Sequence, residues 1–277
     1  MGPVSESLAG KASAKLATLS TGSHMTREPD IYFIPVPERV LTVMLEMAAV
    51  GRDDLVYDLG CGDGRVIIAA AHSRAARGVG VDLDPDHVEV SRANGRRAGL
   101  LDRVEFRQED FFTTDLRPAT VVALYLLDSL NVRLRPKILA ECRPGTRVVS
   151  YSFEMGEWEC DAHTPIAANG VRLWVVPANL SGRWVAGDGS RGPWREIVIE
   201  QQFQRLEGWA SADDGPSPIR EGRVGGEQFR FVVDAGPGPC VIAGRIDGDR
   251  LEASIHRESG DEPWNATRQS GTQRPLE

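Results

Sequence analysis

The sequence predicts an α/β fold built on a parallel sheet, followed by a separate all-β unit. Three observations carry this. In the first half, short apolar runs alternate with segments of helical period, the pattern of strands joined by right-handed crossovers. One of those runs ends in a turn with three glycines that opens a helix. After Pro177 the period shortens to two, in runs separated by Gly, Pro and Asp.

The elements follow in order. Residues 21–25 read Thr-Gly-Ser-His-Met and resemble a tag remnant, so residues 1–24 are expected to be a leader outside the fold, with Met25 the native start. Asp30 to Pro37, with two prolines and several aromatic or β-branched residues, is expected to be extended. Val40, Leu41, Met44, Leu45 and Ala48 then recur at helical spacing, with Pro37 suited to the helix entry. Leu55-Val-Tyr-Asp-Leu59 reads as a buried strand, followed by the glycine turn and an apolar helix through Ala71. Four more strands are expected at 78–83, 103–107, 119–127 and 146–152, with helices at 85–98 and 128–142. The first domain is therefore expected over 25–177. Alternating runs such as Glu196-Ile-Val-Ile-Glu200, Phe229-Arg-Phe-Val-Val233 and Leu251-Glu-Ala-Ser-Ile255 predict an antiparallel sheet, sandwich or small barrel over 178–268. Residues 269–277 are expected to be frayed.

Composition narrows the function classes. Of the 277 residues, 41% are hydrophobic and 26% charged, which excludes a chain disordered throughout. A net charge of −8 argues against nucleic acid or an anionic membrane as a general partner. No apolar run reaches the roughly 18 residues that stable membrane insertion needs, and no signal-peptide core is present, so a cytoplasmic location is expected. Cys61, Cys142, Cys160 and Cys240 are scattered without a CxxC pair, and no HxxxH pattern exists. Neither a disulfide framework nor a metal site is expected. The sequence does not set the oligomeric state.

The informative stretch is Val56-Tyr-Asp58-Leu-Gly60-Cys61-Gly62-Asp63-Gly64-Arg65, where a strand ends in an acid and turns through glycines into a helix. Glycine tolerates positive φ and lets a ligand approach the backbone, and a helix start offers unpaired N–H groups. Gly78-Val-Gly-Val-Asp82-Leu83-Asp84 places a second strand-end acid where a carboxylate can accept both ribose hydroxyls. Val104-Glu-Phe-Arg-Gln-Glu-Asp110-Phe111 supplies a third acid, able to accept from an adenine amine, and an aromatic ring to cover the base. Each acid alone could be a strand-end cap; three at successive strand ends converge on one crevice. A dinucleotide enzyme favours GxGxxG, and here Arg65 and Val66 follow where its third glycine would fall near Ile67.

These residues resemble the class I S-adenosylmethionine-dependent methyltransferases over about residues 31–177. The resemblance implies a Rossmann-like methyltransferase sheet, S-adenosyl-L-methionine as cofactor and S-adenosyl-L-homocysteine as product. It places the methionine moiety on Asp58 and the Gly60–Gly64 turn, with Cys61, Gly62 and Asp63; the ribose on Asp82, beside Leu83; and the adenine on Asp110 and Phe111. Tyr32-Phe-Ile-Pro35-Val36-Pro37, the Gly-Asp-Gly-Arg turn and Pro144-Gly-Thr-Arg-Val-Val149 are similar, more narrowly, to the ATP synthase c-subunit lysine methyltransferase family and its prokaryotic relatives. That family enters its first helix through a Tyr-x-Pro-Thr/Ser-Pro segment, which puts Tyr32, Pro35 and Val36 at the cofactor, with Val36 in place of the hydroxyl residue.

The resemblance implies N-methylation of an amine, with protein lysine preferred and a small-molecule acceptor as the alternative; a non-catalytic cofactor-binding module is the third reading. In Ala123-Leu-Tyr125-Leu-Leu-Asp128-Ser129-Leu-Asn131 the family presents substrate-facing groups, and the Asn-Pro-Pro-Tyr motif of amide and adenine methyltransferases is absent. Tyr125 either shapes the methyl-transfer channel beside the cofactor or is an ordinary strand aromatic. Asp128 either orients the acceptor amine or caps a helix. Arg133, Arg135, Lys137, Arg143 and Arg147 form either a solvated helix face or a docking surface. Trp158 is a candidate for the substrate rim, while most other tryptophans are expected in the core of the β unit.

Overall fold

The computed structural model describes residues 34–276 apart from 167, 189, 191, 214, 236–237 and 258–259. The leader and Tyr32 lie outside the described residues. At the centre of the first half is strand β1 (Leu55–Leu59), flanked by β2 (Arg77–Asp82) and β4 (Val121–Leu124), both parallel to it. β3 (Val104–Gln108) continues the parallel sheet beyond β2, and β5 (Arg147–Tyr151) beyond β4. Two antiparallel strands absent from the sequence expectation, β6 (Ala162–Ile166) and β7 (Asn169–Val175), complete the order β3-β2-β1-β4-β5-β7-β6. β6 is almost wholly exposed and carries Pro165, so it lacks the apolar run of a buried strand.

Both faces of the sheet are covered, which is why β4 reads as an unbroken apolar run and β1 is buried along almost its whole length, Asp58 included. Helices α1 (Glu38–Met47), α2 (Arg65–Arg74) and α3 (Pro85–Ala98) bury Val40, Met44, Ile67 and Val88 on one face with Val56 and Val121. Helix α4 (Asp128–Glu141) buries Leu130, Leu134 and Ile138 on the other, against Leu59 and Leu124. α3 starts where its sequence says it must: the Asp84 carboxylate accepts the Asp86 N–H at 2.9 Å and Pro85 takes the first position. The chain runs outward in both directions from β1, so a crevice opens at the carboxyl ends of β1 and β4.

Eight antiparallel strands form a closed barrel: β8 (Gly182–Ala186), β9 (Glu196–Gln202), β10 (Arg205–Ala212), β11 (Gly215–Gly225), β12 (Gln228–Ala235), β13 (Gly238–Asp247), β14 (Arg250–Arg257) and β15 (Gly260–Arg268). Each pairs with the next and β15 returns to β8, leaving no open edge. Trp184, Trp194, Trp264 and Phe231 fill the interior, whereas Trp209 is 40% exposed. The Arg268 guanidinium lies 4.3 Å over the Trp184 ring and donates to the Asn179 and Ser181 carbonyls.

The expected fraying after residue 268 does not hold for residues 269–276. The Gln269 N–H donates to the Arg183 carbonyl at 2.8 Å, the Arg274 N–H to Ser181 Oγ at 2.9 Å, and Leu276 packs into the sheet-side core. Barrel and sheet meet at the β9–β10 turn. There Phe203 stacks on Trp158 with ring centres 6.0 Å apart, Arg135 lies 5.0 Å over the Phe203 ring, and Gln204 Nε2 donates to the Glu159 carbonyl at 2.7 Å. Trp158 is 1% exposed in this junction and does not rim a substrate pocket. Within the basic stretch Arg133 covers Phe112, Arg135 covers Phe203, Lys137 pairs with Glu141 and Arg147 with Asp54, while Arg133 and Arg143 remain exposed.

Candidate active site

A cavity of about 410 Å³ opens at the carboxyl ends of the central strands. Asp58, Gly60 and Cys61 line it from the end of β1, Asp82 and Leu83 from β2, Asp110 and Phe111 from beyond β3, and Tyr125 from beyond β4. Val36 joins them from the segment before α1.

The turn after β1 explains its glycines. Gly60, Gly62 and Gly64 all have positive φ, at 82°, 52° and 77°. A Cβ on Gly64 would stand 2.6 Å from the Phe106 ring, so the turn packs tightly on α3 and β3. The Gly62 N–H donates to Asp82 Oδ2 at 2.9 Å, and the Asp84 N–H to Asp82 Oδ1 at 3.0 Å. Backbone donors thus fix the second acid in place before any ligand arrives. The Asp110 carboxylate accepts the Phe112 N–H at 2.9 Å.

Asp58 is 5% exposed. Burial first, then the neighbouring Asp82 and Asp63 carboxylates, push its carboxyl up to about 8. Two acids held together out of water favour a cationic ligand, and the ammonium and sulfonium of S-adenosylmethionine suit that site. The donors and acceptors therefore fit the cofactor: a buried acid for the ammonium, a backbone-fixed acid for the ribose diol, a third acid and a ring for the adenine. The Cys61 thiol is pushed up, chiefly by burial, and is not a nucleophile.

Four expected site residues do not line the cavity. Gly62 acts through Asp82, and Asp63 turns away into a fork with Arg65, Oδ2 to Nη2 2.6 Å. Pro35 is not among the lining residues. Asp128 neither caps α4 nor reaches the cavity: Leu127 is the residue before the helix, and the Asp128 carboxylate accepts the Glu154 N–H at 2.6 Å. It orders the loop after β5 instead.

Sequence reasoning missed Ile34, Arg65, Val66, His87, Leu126, Leu127, Leu130 and Phe153, all of which line the cavity. His87 had a local signal, since it sits in the first turn of α3, with Nδ1 3.4 Å from Asp82 Oδ1. Phe153 had none; it arrives from the loop after β5. Tyr125 packs its ring 4.9 Å from Tyr151 and 5.9 Å from Phe153.

The pattern of the ANTKMT methyltransferase domain matches residues 58–162. A protein-lysine N-methyltransferase of Saccharolobus islandicus (strain REY15A) is 43% identical over 135 residues, 48% of this chain and 84% of the relative. An adenine nucleotide translocase lysine N-methyltransferase of Mus musculus is 32% identical over 142 residues, 50% of this chain and 60% of the relative. Among solved structures, an RNA methyltransferase from Salinibacter ruber in complex with S-adenosyl-L-homocysteine matches with a TM-score of 0.52 and 47% identity, covering 53% of this chain and 96% of that one. Fold and site define a class I S-adenosylmethionine-dependent methyltransferase. Within that class, the chain belongs to the ANTKMT methyltransferase domain family.

Proposed function

We propose that this enzyme methylates the side-chain amine of lysine in a protein acceptor. The observation that carries the reading is the 43% identity to a protein-lysine N-methyltransferase across 84% of that relative. On this reading Asp58 accepts from the cofactor's ammonium, Asp82 from its ribose hydroxyls and Asp110 from its adenine amine, with Phe111 over the base. When bound, S-adenosylmethionine supplies a methyl on a sulfonium: the amine lone pair forms the new bond as the carbon–sulfur bond breaks and its electrons stay on sulfur.

The protein's own contribution is alignment and exclusion of water. Leu126, Leu127, Leu130 and Ile34 give the acceptor end an apolar lining, where desolvation favours the neutral amine that must attack. Burial, and then Tyr151, raise the Tyr125 phenol, so it stays neutral and serves as a wall rather than a base. Asp128 is not the base either, because it lies outside the cavity.

RNA is the second reading, favoured by the 47% identity to the RNA methyltransferase from Salinibacter ruber; the net charge of −8 opposes it. Incubation of the full chain with methyl-labelled cofactor and native lysate decides. Label removed by protease and recovered as methyl-lysine supports the proposal. Label removed by ribonuclease, or found in small molecules, overturns it.

A further inference from the structure

The acceptor end of the cavity is built differently from the cofactor end. Asp58, Asp82 and Asp110 stand at the ends of β1, β2 and past β3, while the β4 and β5 side presents two rings, Tyr125 and Phe153. Their centres are 5.9 Å apart with planes inclined by 34°, and Tyr151 backs Tyr125 at 4.9 Å. Ile34, 62% exposed, and Leu127, 43% exposed, also line the cavity and give it an apolar rim.

Phe153 reaches this position at a structural cost. The preceding Ser152 has φ 70°, the left-handed region, and the Phe153 N–H donates back to the Tyr151 carbonyl at 2.9 Å, a γ-turn of the strained hand. The Ser152 hydroxyl is buried without a hydrogen-bond partner among the described residues. The turn is held from both sides. Arg172 on β7 donates to the Ser152 carbonyl at 3.2 Å and pairs with Glu154 at 2.8 Å, while Asp128 accepts the Glu154 N–H. Strain, an orphan hydroxyl and three clamps around one phenylalanine are unnecessary for closing a loop. They fix the direction of the ring.

We propose that Tyr125 and Phe153 form the acceptor-recognition wall, a cation-binding surface for an aliphatic ammonium and its methylated forms. Aromatic faces attract cations through the ring quadrupole, most strongly when water is excluded. In this transfer positive charge leaves sulfur and develops on the acceptor nitrogen, so rings beside that nitrogen stabilise the transition state more than the neutral amine. The apolar rim suits the methylene stem of such a side chain. Asp128 and Arg172 are positioning residues that act through Phe153. The inference rests on the reading of the acceptor as an amine, and its test does not depend on that acceptor being protein.

The test is an NMR titration of butyltrimethylammonium, and of its neutral carbon isostere, into the complex with S-adenosylhomocysteine. The isosteres share shape and differ in charge. The wild type should prefer the cation by about tenfold or more, as expected of a desolvated cation–π contact. Phe153→Leu should lose most of that preference and keep its S-adenosylhomocysteine affinity, which also reports that it is folded; Phe153→Tyr should retain both. Asp128→Asn should weaken the preference less than Phe153→Leu. Equal binding of the two probes to the wild type overturns the proposal, as does a preference that survives in Phe153→Leu. Should Phe153→Leu fail to bind S-adenosylhomocysteine, Tyr125→Leu provides the same comparison from the other ring. Methyl label in RNA alongside a clear cation preference would overturn the lysine reading and leave the wall supported.

Discussion

The sheet and the barrel handle polar groups in opposite ways. In the sheet half, apolar strands end abruptly in acids, and Asp58 and Asp82 sit buried beside each other with a cavity in front of them. In the barrel the buried charge is Arg268, and it is satisfied by Asp249, by carbonyls and by the Trp184 face. One half keeps electrostatic demand for a ligand; the other satisfies its buried charge internally and pairs every strand with the next. The difference motivates an account in which the sheet carries the chemistry and the barrel supports it. The route of that support is visible: Phe203 and Gln204 grip Trp158 and Glu159, a few residues beyond Phe153.

The contrast can be broken most forcefully from the barrel side. Trp184→Ala should destabilise the protein by about 3–5 kcal/mol, from the cavity left by a fully buried ring and the lost Arg268 contact. Chemical denaturation should show the loss in the barrel transition. A destabilisation below about 1 kcal/mol would mean that the barrel interior is not a packed core.

From the sheet side, Asp82→Ala should weaken S-adenosylhomocysteine by about 1.5–3 kcal/mol, the range for hydrogen bonds to a charged group. Unchanged affinity in calorimetry would remove the ribose assignment.

A pH series sharpens the same point. The Asp58 carboxyl has an ordinary value of 3.8 and is raised to about 8 in the ligand-free fold. Between those values the folded state binds more protons at this position than the unfolded chain. Its contribution to stability is therefore full below about pH 4 and is lost as pH rises towards about 8. A cationic ligand needs the ionised form, so cofactor affinity should rise over the upper part of that window, by at most about tenfold per pH unit for one proton. Calorimetry in buffers of different ionisation enthalpy should detect proton release on binding near pH 7, and Asp58→Asn should abolish it. A flat affinity profile in the wild type would show that Asp58 is already ionised.

The smallest effect on the cofactor belongs to Phe203→Ala. It opens the junction, so acceptor turnover should fall, while S-adenosylhomocysteine affinity should stay within about twofold, since no proposed cofactor contact comes from the barrel.

Local sequence carried the cofactor end of the site. Asp58 and Asp82 stand in the last two residues of β1 and β2, and Asp110 lies two residues past β3, so strand, turn and helix signals within ten residues place them together with the glycines. The acceptor end was not legible for the opposite reason. Phe153 depends on a strained turn held by Arg172 and Asp128, contacts that span 20 and 26 residues along the chain. Asp128 looked like a helix cap because the residues around it cannot reveal that its carboxylate accepts from residue 154. The alternating runs after Pro177 announced β structure, yet sheet, sandwich and barrel share that period, and only the β15–β8 pairing closes it. The basic stretch likewise resolved through distant partners, Arg135 with Phe203 and Arg147 with Asp54.

The division of labour is tested most directly by titrating S-adenosylhomocysteine into Asp82→Ala and Phe203→Ala side by side. The sheet-centred account predicts a loss of roughly ten- to a hundredfold for the first and a wild-type value for the second. Equal losses in both, or a larger loss in Phe203→Ala, would contradict it and place part of the cofactor site under the barrel's control.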